Sequence, residues 1–149
     1  MKKISLSNSS SRITHAVSLD WTDFNTLSST NGTAGYIDIP RVLTGRWIVT
    51  KVVLYIVEGF GDVGAITADV GTPVEPDHMV GNKNITIAGS AIDNKSGVPE
   101  QVAGTHGIVD TDLRVTLDPP STHALSDLTK GEMILMLHIV NVDDIIKTL

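Results

Sequence analysis

Histidine and carboxylate side chains are the groups in this chain that could bind a metal ion or transfer a proton. The sequence contains five histidines, and none lies in a His-x-His or His-x-x-x-His spacing. A histidine metal site would therefore have to be assembled across several loops. His138 stands between Met136 and Val140 in an apolar stretch, which favours a partly buried side chain with one hydrogen bond. We predict no metal ligand among the five, the others being His15, His78, His106 and His123.

An acidic group in the middle of the chain offers a second possible chemistry. Hard cations such as calcium bind carboxylate and carbonyl oxygens that loops supply. The acidic residues do not have the spacing of an EF-hand loop, and aspartates beside Gly or Pro are common turn residues. The turn interpretation is favoured, and a bound loop cation stays open as an alternative. The residues concerned are Asp62, Asp69, Glu75 and Asp77.

Signatures of nucleophilic and cofactor chemistry are missing. Cysteine is absent, and Gly89-Ser90 is not part of a Gly-x-Ser-x-Gly elbow. A Gly-x-Gly-x-x-Gly run occupies residues 59–64, but residues 65–70 have the composition of a strand and not of the helix that a dinucleotide or phosphate loop requires. We therefore predict no catalytic residue and no cofactor. A small hydrolase built on a carboxylate pair stays as the least favoured hypothesis.

Composition limits the class of protein. The chain has 149 residues, 41% of them hydrophobic and only 4% aromatic, which predicts a single domain with an aliphatic core. Its formal net charge is -6 and its basic residues are scattered, so nucleic acid is not an expected partner. The two longest apolar stretches are too short for a membrane-spanning helix, so no membrane partner is expected.

Two long apolar stretches organise the rest of the chain. Residues 46–59 and 132–142 are rich in β-branched and aliphatic residues, which predicts two strands. Successive side chains of a strand point to opposite faces, and here both faces of each strand are mostly apolar. We expect one face to lie in the core and the other to be covered by a second subunit, and a cover of long loops from the same chain is the alternative. In the first strand, strict alternation assigns the oligomer interface to Trp47, Val49, Val53, Tyr55 and Val57.

Shorter strands recur about every ten residues, with turn signals between them. The predicted strands are residues 13–24, 36–39 (stopped by Pro40), 65–70, 84–88 and 113–117, and residues 89–107 form a long loop. This spacing is typical of an all-β antiparallel sandwich or jelly roll, here of about eight strands with little helix. Residues 1–12 are polar and form an N-terminal arm, so the predicted domain covers residues 13–149.

Three stretches follow one another in the middle of the chain: residues 47–61 (WIVTKVVLYIVEGFG), 66–72 (ITADVGT) and 76–80 (PDHMV). Over residues 42–87 this part of the chain resembles small virion proteins of tailed bacteriophages, although residues 75–77 depart slightly from the family pattern. It implies a jelly-roll protein on the capsid surface of the virion, with no catalytic residues. Its expected partners are the major capsid protein and further copies of itself, as a homodimer or homotrimer. The expected capsid contacts are Lys2, Lys3, Ile4, Leu6 and Arg12.

The resemblance therefore predicts a non-enzymatic head decoration, or cement, protein that reinforces capsomer contacts. The alternative is a tail or receptor-binding component that binds a glycan of the host surface. Glycan binding requires exposed aromatic side chains, and the sequence contains six aromatic residues. We expect Trp21, Trp47 and Tyr55 to have core or interface roles instead.

Overall fold

The fold is seen in a computed structural model, which describes residues 1–4, 13–43, 45–61, 63–89, 91–93, 111–141, 143 and 147. Nine strands run through these residues, with one short helix, α1 (Trp21–Phe24), and one 3₁₀ turn (Leu125–Asp127). The predicted all-β class with little helix is confirmed. The strands are β1 (Lys2–Ile4), β2 (His15–Asp20), β3 (Gly35–Leu43), β4 (Trp47–Glu58), β5 (Thr67–Gly71), β6 (Val80–Asn84), β7 (Ala91–Asp93), β8 (Thr111–Asp118) and β9 (Glu132–Asn141).

The strands form two antiparallel sheets with the connectivity of a jelly roll. Sheet A has the order β1-β2-β9-β4-β7, and sheet B has the order β3-β8-β5-β6. Strand β2 pairs with β9, β3 with β8, β4 with β7, and β5 with β6. In a jelly roll, a long antiparallel ribbon made of four strand pairs folds over to give two packed sheets of four strands each. The four pairs found here match that arrangement.

The core lies between the sheets and is mainly aliphatic, as the composition predicts. On β8, Leu113, Val115 and Leu117 are fully buried, which confirms the alternation read from the sequence. They face the buried side chains of β4 and β9 in the other sheet. Side chains alternate between core and solvent along each strand, so every second residue contributes to this core. Phe24 and Phe60 close one end with an edge-to-face contact, their ring centroids 6.3 Å apart.

Three of the predicted strands differ most from the structure, each for a local reason. The strand predicted over residues 13–24 ends at Asp20, whose carboxylate accepts a hydrogen bond from the Thr22 amide and so starts α1. Pro40 does not stop β3, because β3 is an edge strand of sheet B and an edge strand can hold a residue without an N–H group. The strand predicted over residues 84–88 is wrong apart from Asn84, which ends β6: its side chain accepts from the amide and hydroxyl of Thr86 and forms a turn.

The predicted arm and loop are only partly described. Strand β1 pairs with β2 at the edge of sheet A, so three residues of the predicted arm belong to the sheet, whereas residues 5–12 lie outside the described residues. Strand β7 pairs with β4, and residues 94–110, which include most of the predicted loop, also lie outside the description. No helix among the described residues is long and apolar enough to cross a membrane.

Candidate functional site

The two sheets differ in the chemistry of their outer faces. On sheet A, the outward side chains of β4 and β9 form what we call the apolar face: Val53, Tyr55, Val57, Ile134 and Met136. On sheet B, the outward side chains of β3, β5 and β8 form the polar face: Tyr36, Asp38, Asp69, Arg114 and Thr116. An antiparallel sheet with one solvated face is expected to be polar on that face. Sheet B follows this rule, and sheet A does not.

The apolar face contains three of the five predicted interface residues. Val53 is partly exposed, and Tyr55 and Val57 have 37% and 39% of their surface exposed. The assignment of Trp47 and Val49 to this face is wrong, because both are buried in the core between the sheets. The reason is a β-bulge: the ladder passes from the Val49–Ile139 pair to the Lys51–His138 pair, so β4 has one extra residue there and its alternation reverses.

Charges of opposite sign lie at the two ends of the apolar face. At one end the ladder pairs Lys51 with His138. At the other end it pairs Glu58 with Glu132, and Glu132 with Asp20 on β2. The Glu132 carboxylate also accepts a hydrogen bond from the Ser18 hydroxyl at 3.2 Å. The apolar face therefore lies between a lysine on one side and a group of carboxylates on the other.

A pocket of about 370 Å³ opens next to the acidic end. It contains the Gly-x-Gly-x-x-Gly run, and no helix follows that run, because β5 begins at Thr67. The prediction that a strand and not a helix follows the run is confirmed. Gly59 packs against the Thr86 backbone, which leaves no room for a side chain, whereas the neighbour of Gly61 is the flexible end of the Lys130 side chain. The lining residues are Glu58, Gly59, Phe60, Gly61, Gly64, Thr86, Ala88 and Lys130.

The polar face is organised by an arginine at its centre. The guanidinium of Arg114 donates to both carboxylate oxygens of Asp38, its direct cross-strand neighbour, through Nε and one terminal nitrogen, each at 2.7 Å. The same guanidinium lies over the ring of Tyr36, 3.6 Å from the ring centroid. Hydrogen bonding to Asp38 raises the pKa of Arg114 above its ordinary value. The group is therefore a fixed cation.

A loop and a second strand border the polar face. Gly71 on β5 is the ladder partner of Arg114, and a side chain at Gly71 would collide with the carbonyl of Glu75 and with Pro76. The loop after β5 thus lies against the sheet beside the arginine. Asp69 accepts a hydrogen bond from the amide of Asn82, which has a positive φ of 51°. Val74, in the same loop, has 76% of its surface exposed.

The histidines and acidic residues form no metal-binding group within the described part of the chain. His138 lies on β9 as predicted, half-buried. His78 contacts the Glu75 carboxylate. His15 and His123 each lie within 2.9 Å of the hydroxyl of the preceding threonine, and burial lowers the pKa of His15. Among the described residues, no three His, Asp or Glu side chains are close enough to hold a metal ion. His106 and Asp62 lie outside the description.

The predicted capsid contacts have no described side chains. Lys2, Lys3 and Ile4 form β1, of which the structure gives the backbone pairing, and Leu6 and Arg12 lie outside the described residues. The assignment stays a prediction. The polar face, in contrast, was missed by the sequence analysis. The sequence feature that could have revealed this face is Tyr36. It is an aromatic residue on the side of the strand opposite to Ile37 and Ile39, and therefore at an outward position.

Comparison of the chain with protein-family models, curated proteins and solved structures finds no match.

Proposed function

We propose that this protein is a non-enzymatic structural subunit of a tailed-phage virion, a head decoration protein that binds the major capsid protein and associates with itself. The observation that carries the proposal is the apolar face of sheet A. Its side chains are contiguous, with Tyr55 and Val57 exposed and the other three half-buried among the described residues. A contiguous apolar surface that is partly exposed favours an interaction site, and the outer face of sheet B is polar by comparison. The resemblance of residues 42–87 to small virion proteins and the jelly-roll connectivity support the assignment.

A second copy of the chain is the occupant that the apolar face fits best. Two such faces can stack about 10 Å apart, as sheets do in a sandwich. A two-fold axis perpendicular to the strands brings the Lys51–His138 end of one copy against the Glu58–Glu132 end of the other, in both directions. The acidic end keeps an excess of negative charge, since Asp20, Glu58 and Glu132 are three carboxylates and Lys130 is one ammonium group. Such rim charges set the orientation more than the affinity.

Reinforcement follows from the assembly. An oligomer that bridges neighbouring capsomers adds interfaces that must also break when the shell opens. Because the oligomer binds only to the closed shell, it stabilises that shell by an amount set by the free energy of the added contacts. No group on the decoration protein needs to react.

The test is the number of copies of this chain in intact particles, measured by quantitative mass spectrometry against the major capsid protein. Hundreds of copies are expected of a decoration protein, and particles without it should lose their contents at lower temperature or pressure. Absence of the chain from purified particles would overturn the proposal.

A tail or receptor-binding component is the second candidate, and the exposed tyrosine of the polar face is the observation that favours it. The same count separates the two candidates. A few dozen copies or fewer would assign the protein to the tail and make glycan binding its main role.

A further inference from the structure

We infer that the polar face of sheet B is a binding site for a neutral saccharide. The inference starts from Tyr36, which is 52% exposed although its ring is held in place. Arg114 covers one side of the ring, 3.6 Å from the centroid, and Arg114 is itself held by Asp38. The ring therefore presents its remaining surface to solvent in a fixed orientation. A rigid tyrosine provides apolar contact area at low cost in conformational entropy.

Hydrogen-bonding groups surround the ring at the spacing of neighbouring strands. Thr116 lies directly between Tyr36 and Asp69 in one row of the sheet, and Arg114 lies between Asp38 and Gly71 in the next row. Each carboxylate oxygen of Asp38 accepts one bond from the arginine and has a second lone pair. A rigid tyrosine beside a few fixed polar groups offers apolar contact and hydrogen bonds together on an open surface. The C–H face of a pyranose matches the ring, and its hydroxyl groups match the polar groups.

The loop after β5 limits this surface on one side. Its Glu75 and Pro76 backbone lies against Gly71, next to Arg114, while Tyr36 stands on the edge strand β3 on the other side. A ligand on the central strand β8 would thus have a flat ring at one side and a loop at the other.

Charge selects against acidic ligands. The outward positions of the described part of sheet B carry four carboxylates, and Arg114 is already paired with one of them. An anionic sugar, a phosphate or a nucleic acid would be repelled, whereas a neutral saccharide would not. The four carboxylates belong to Asp38, Asp69, Asp112 and Asp118.

A purely structural role is the alternative. The Asp38–Arg114 pair and the stacked Tyr36 form a cross-strand ladder that stabilises the sheet. Such a ladder does not require an open ring surface, and it predicts effects of substitutions on stability alone. Binding of a saccharide distinguishes the two roles.

The experiment is saturation-transfer NMR of the full chain with methyl α-glucopyranoside, methyl β-galactopyranoside and N-acetylglucosamine, and with sialyllactose as the anionic probe. We expect a signal from at least one neutral sugar. Tyr36→Ala should weaken binding about ten-fold or more, and Tyr36→Phe should retain it. The matched control is Tyr55→Ala, the second of two tyrosines, which lies on the apolar face. It should bind like the unaltered chain.

A titration of the ¹⁵N-labelled unaltered chain makes the test independent of how the variants fold. The sugar should shift the amide signals of Tyr36, Arg114 and Thr116 and leave those of Val53 and Tyr55 in place. Tighter binding of maltotetraose or lacto-N-tetraose than of the matching methyl glycoside identifies a surface polymer as the ligand, and equal binding identifies a free sugar. No signal from any neutral sugar, a signal that survives Tyr36→Ala, or a signal from sialyllactose alone would overturn the inference.

Discussion

Val49 and Val52 both point into the core, although three positions separate them along one strand. Their ladder partners on β9, Ile139 and Leu137, are only two positions apart. The difference of one residue is a β-bulge at Thr50, and it allows the two halves of β4 to bury opposite sets of alternate residues. Trp47 and Val49 fill the core before the bulge, and Val52, Leu54 and Ile56 fill it after the bulge.

We predict that deletion of Thr50 leaves the protein folded. Without this residue, Val49 still pairs with Ile139 and Lys51 with His138, so the core residues before and after the bulge keep their face. We expect a loss of about 1–2 kcal/mol of unfolding free energy from local adjustment, measured by urea denaturation.

Deletion of Val53 is the matched control for the bulge. It removes a residue from a regular part of the ladder, so one half of β4 must turn its core residues outward. This variant should not fold. Equal stability of the two deletions would show that the bulge does not set the faces of β4.

The alternation within a strand could be predicted from the sequence, whereas the position of a bulge could not. Leu113, Val115 and Leu117 were correctly assigned to the core because β8 is regular. Trp47 and Val49 were assigned to the wrong face because a bulge depends on the pairing with β9, which is distant in sequence. Local periodicity carries no information about that pairing.

The polar face was missed for a related reason. Asp38 and Arg114 are 76 positions apart and meet only because β3 and β8 are neighbours in sheet B. Residues 111–118 show that Arg114 and Thr116 point outward, but not which strand lies beside them. A search for metal and nucleophile spacings gives no weight to such a pair.

The face assignment of β4 predicts opposite effects of aspartate at adjacent positions. Leu54→Asp buries an unpaired charge in the core and should unfold the subunit, a loss of more than about 4 kcal/mol. Val53→Asp and Tyr55→Asp place the charge on the apolar face, so both variants should stay folded and become monomeric. Circular dichroism and sedimentation velocity measure the two properties. A folded Leu54→Asp variant would mean that the two faces of β4 are inverted.

Charge reversal tests the antiparallel stacking of two apolar faces. Lys51→Glu and Glu58→Lys each place like charges opposite one another in the proposed dimer, so each should weaken it several-fold at low salt. The double variant restores opposite charges at both ends and should recover most of the affinity, as measured by sedimentation equilibrium. If each single variant weakens the dimer and the double variant does not recover its affinity, this antiparallel orientation of the two copies is excluded. Lys83→Glu, a substitution on sheet B, is the control for net charge.

Among the described glycines with positive φ, Gly131 is predicted to be the least tolerant of a side chain. Its φ is 135°, and a Cβ atom there would lie 2.5 Å from Cγ of the buried Phe60 ring. Gly131→Ala should therefore lose about 3 kcal/mol or more, from backbone strain and overpacking together. Gly89→Ala is the control for strain alone, since Gly89 has a φ of 76° and no atom within 4 Å of that position. It should lose about 1 kcal/mol. Equal losses in thermal or urea unfolding would contradict the role of the Phe60 contact.

Asp20 is expected to make stability depend on pH in the acidic range. The Thr22 hydroxyl, and after it the Thr22 amide, donate to the Asp20 carboxylate and lower its pKa below the ordinary 3.8. The folded protein thus releases this proton more readily than the unfolded chain. Its contribution to stability is present above the ordinary pKa and is lost as the pH falls through the folded-state value.

Asp20→Asn tests this dependence while it retains a side-chain oxygen that can cap α1. Between about pH 5 and pH 3, the melting temperature of the unaltered protein should fall more steeply than that of the variant. Thr26→Ala, an exposed substitution shortly after α1 that removes no ionisable group, should keep the slope of the unaltered protein. If Asp20→Asn also keeps that slope, its carboxylate is not more acidic in the folded state, and the hydrogen bonds at the start of α1 do not favour the charged form.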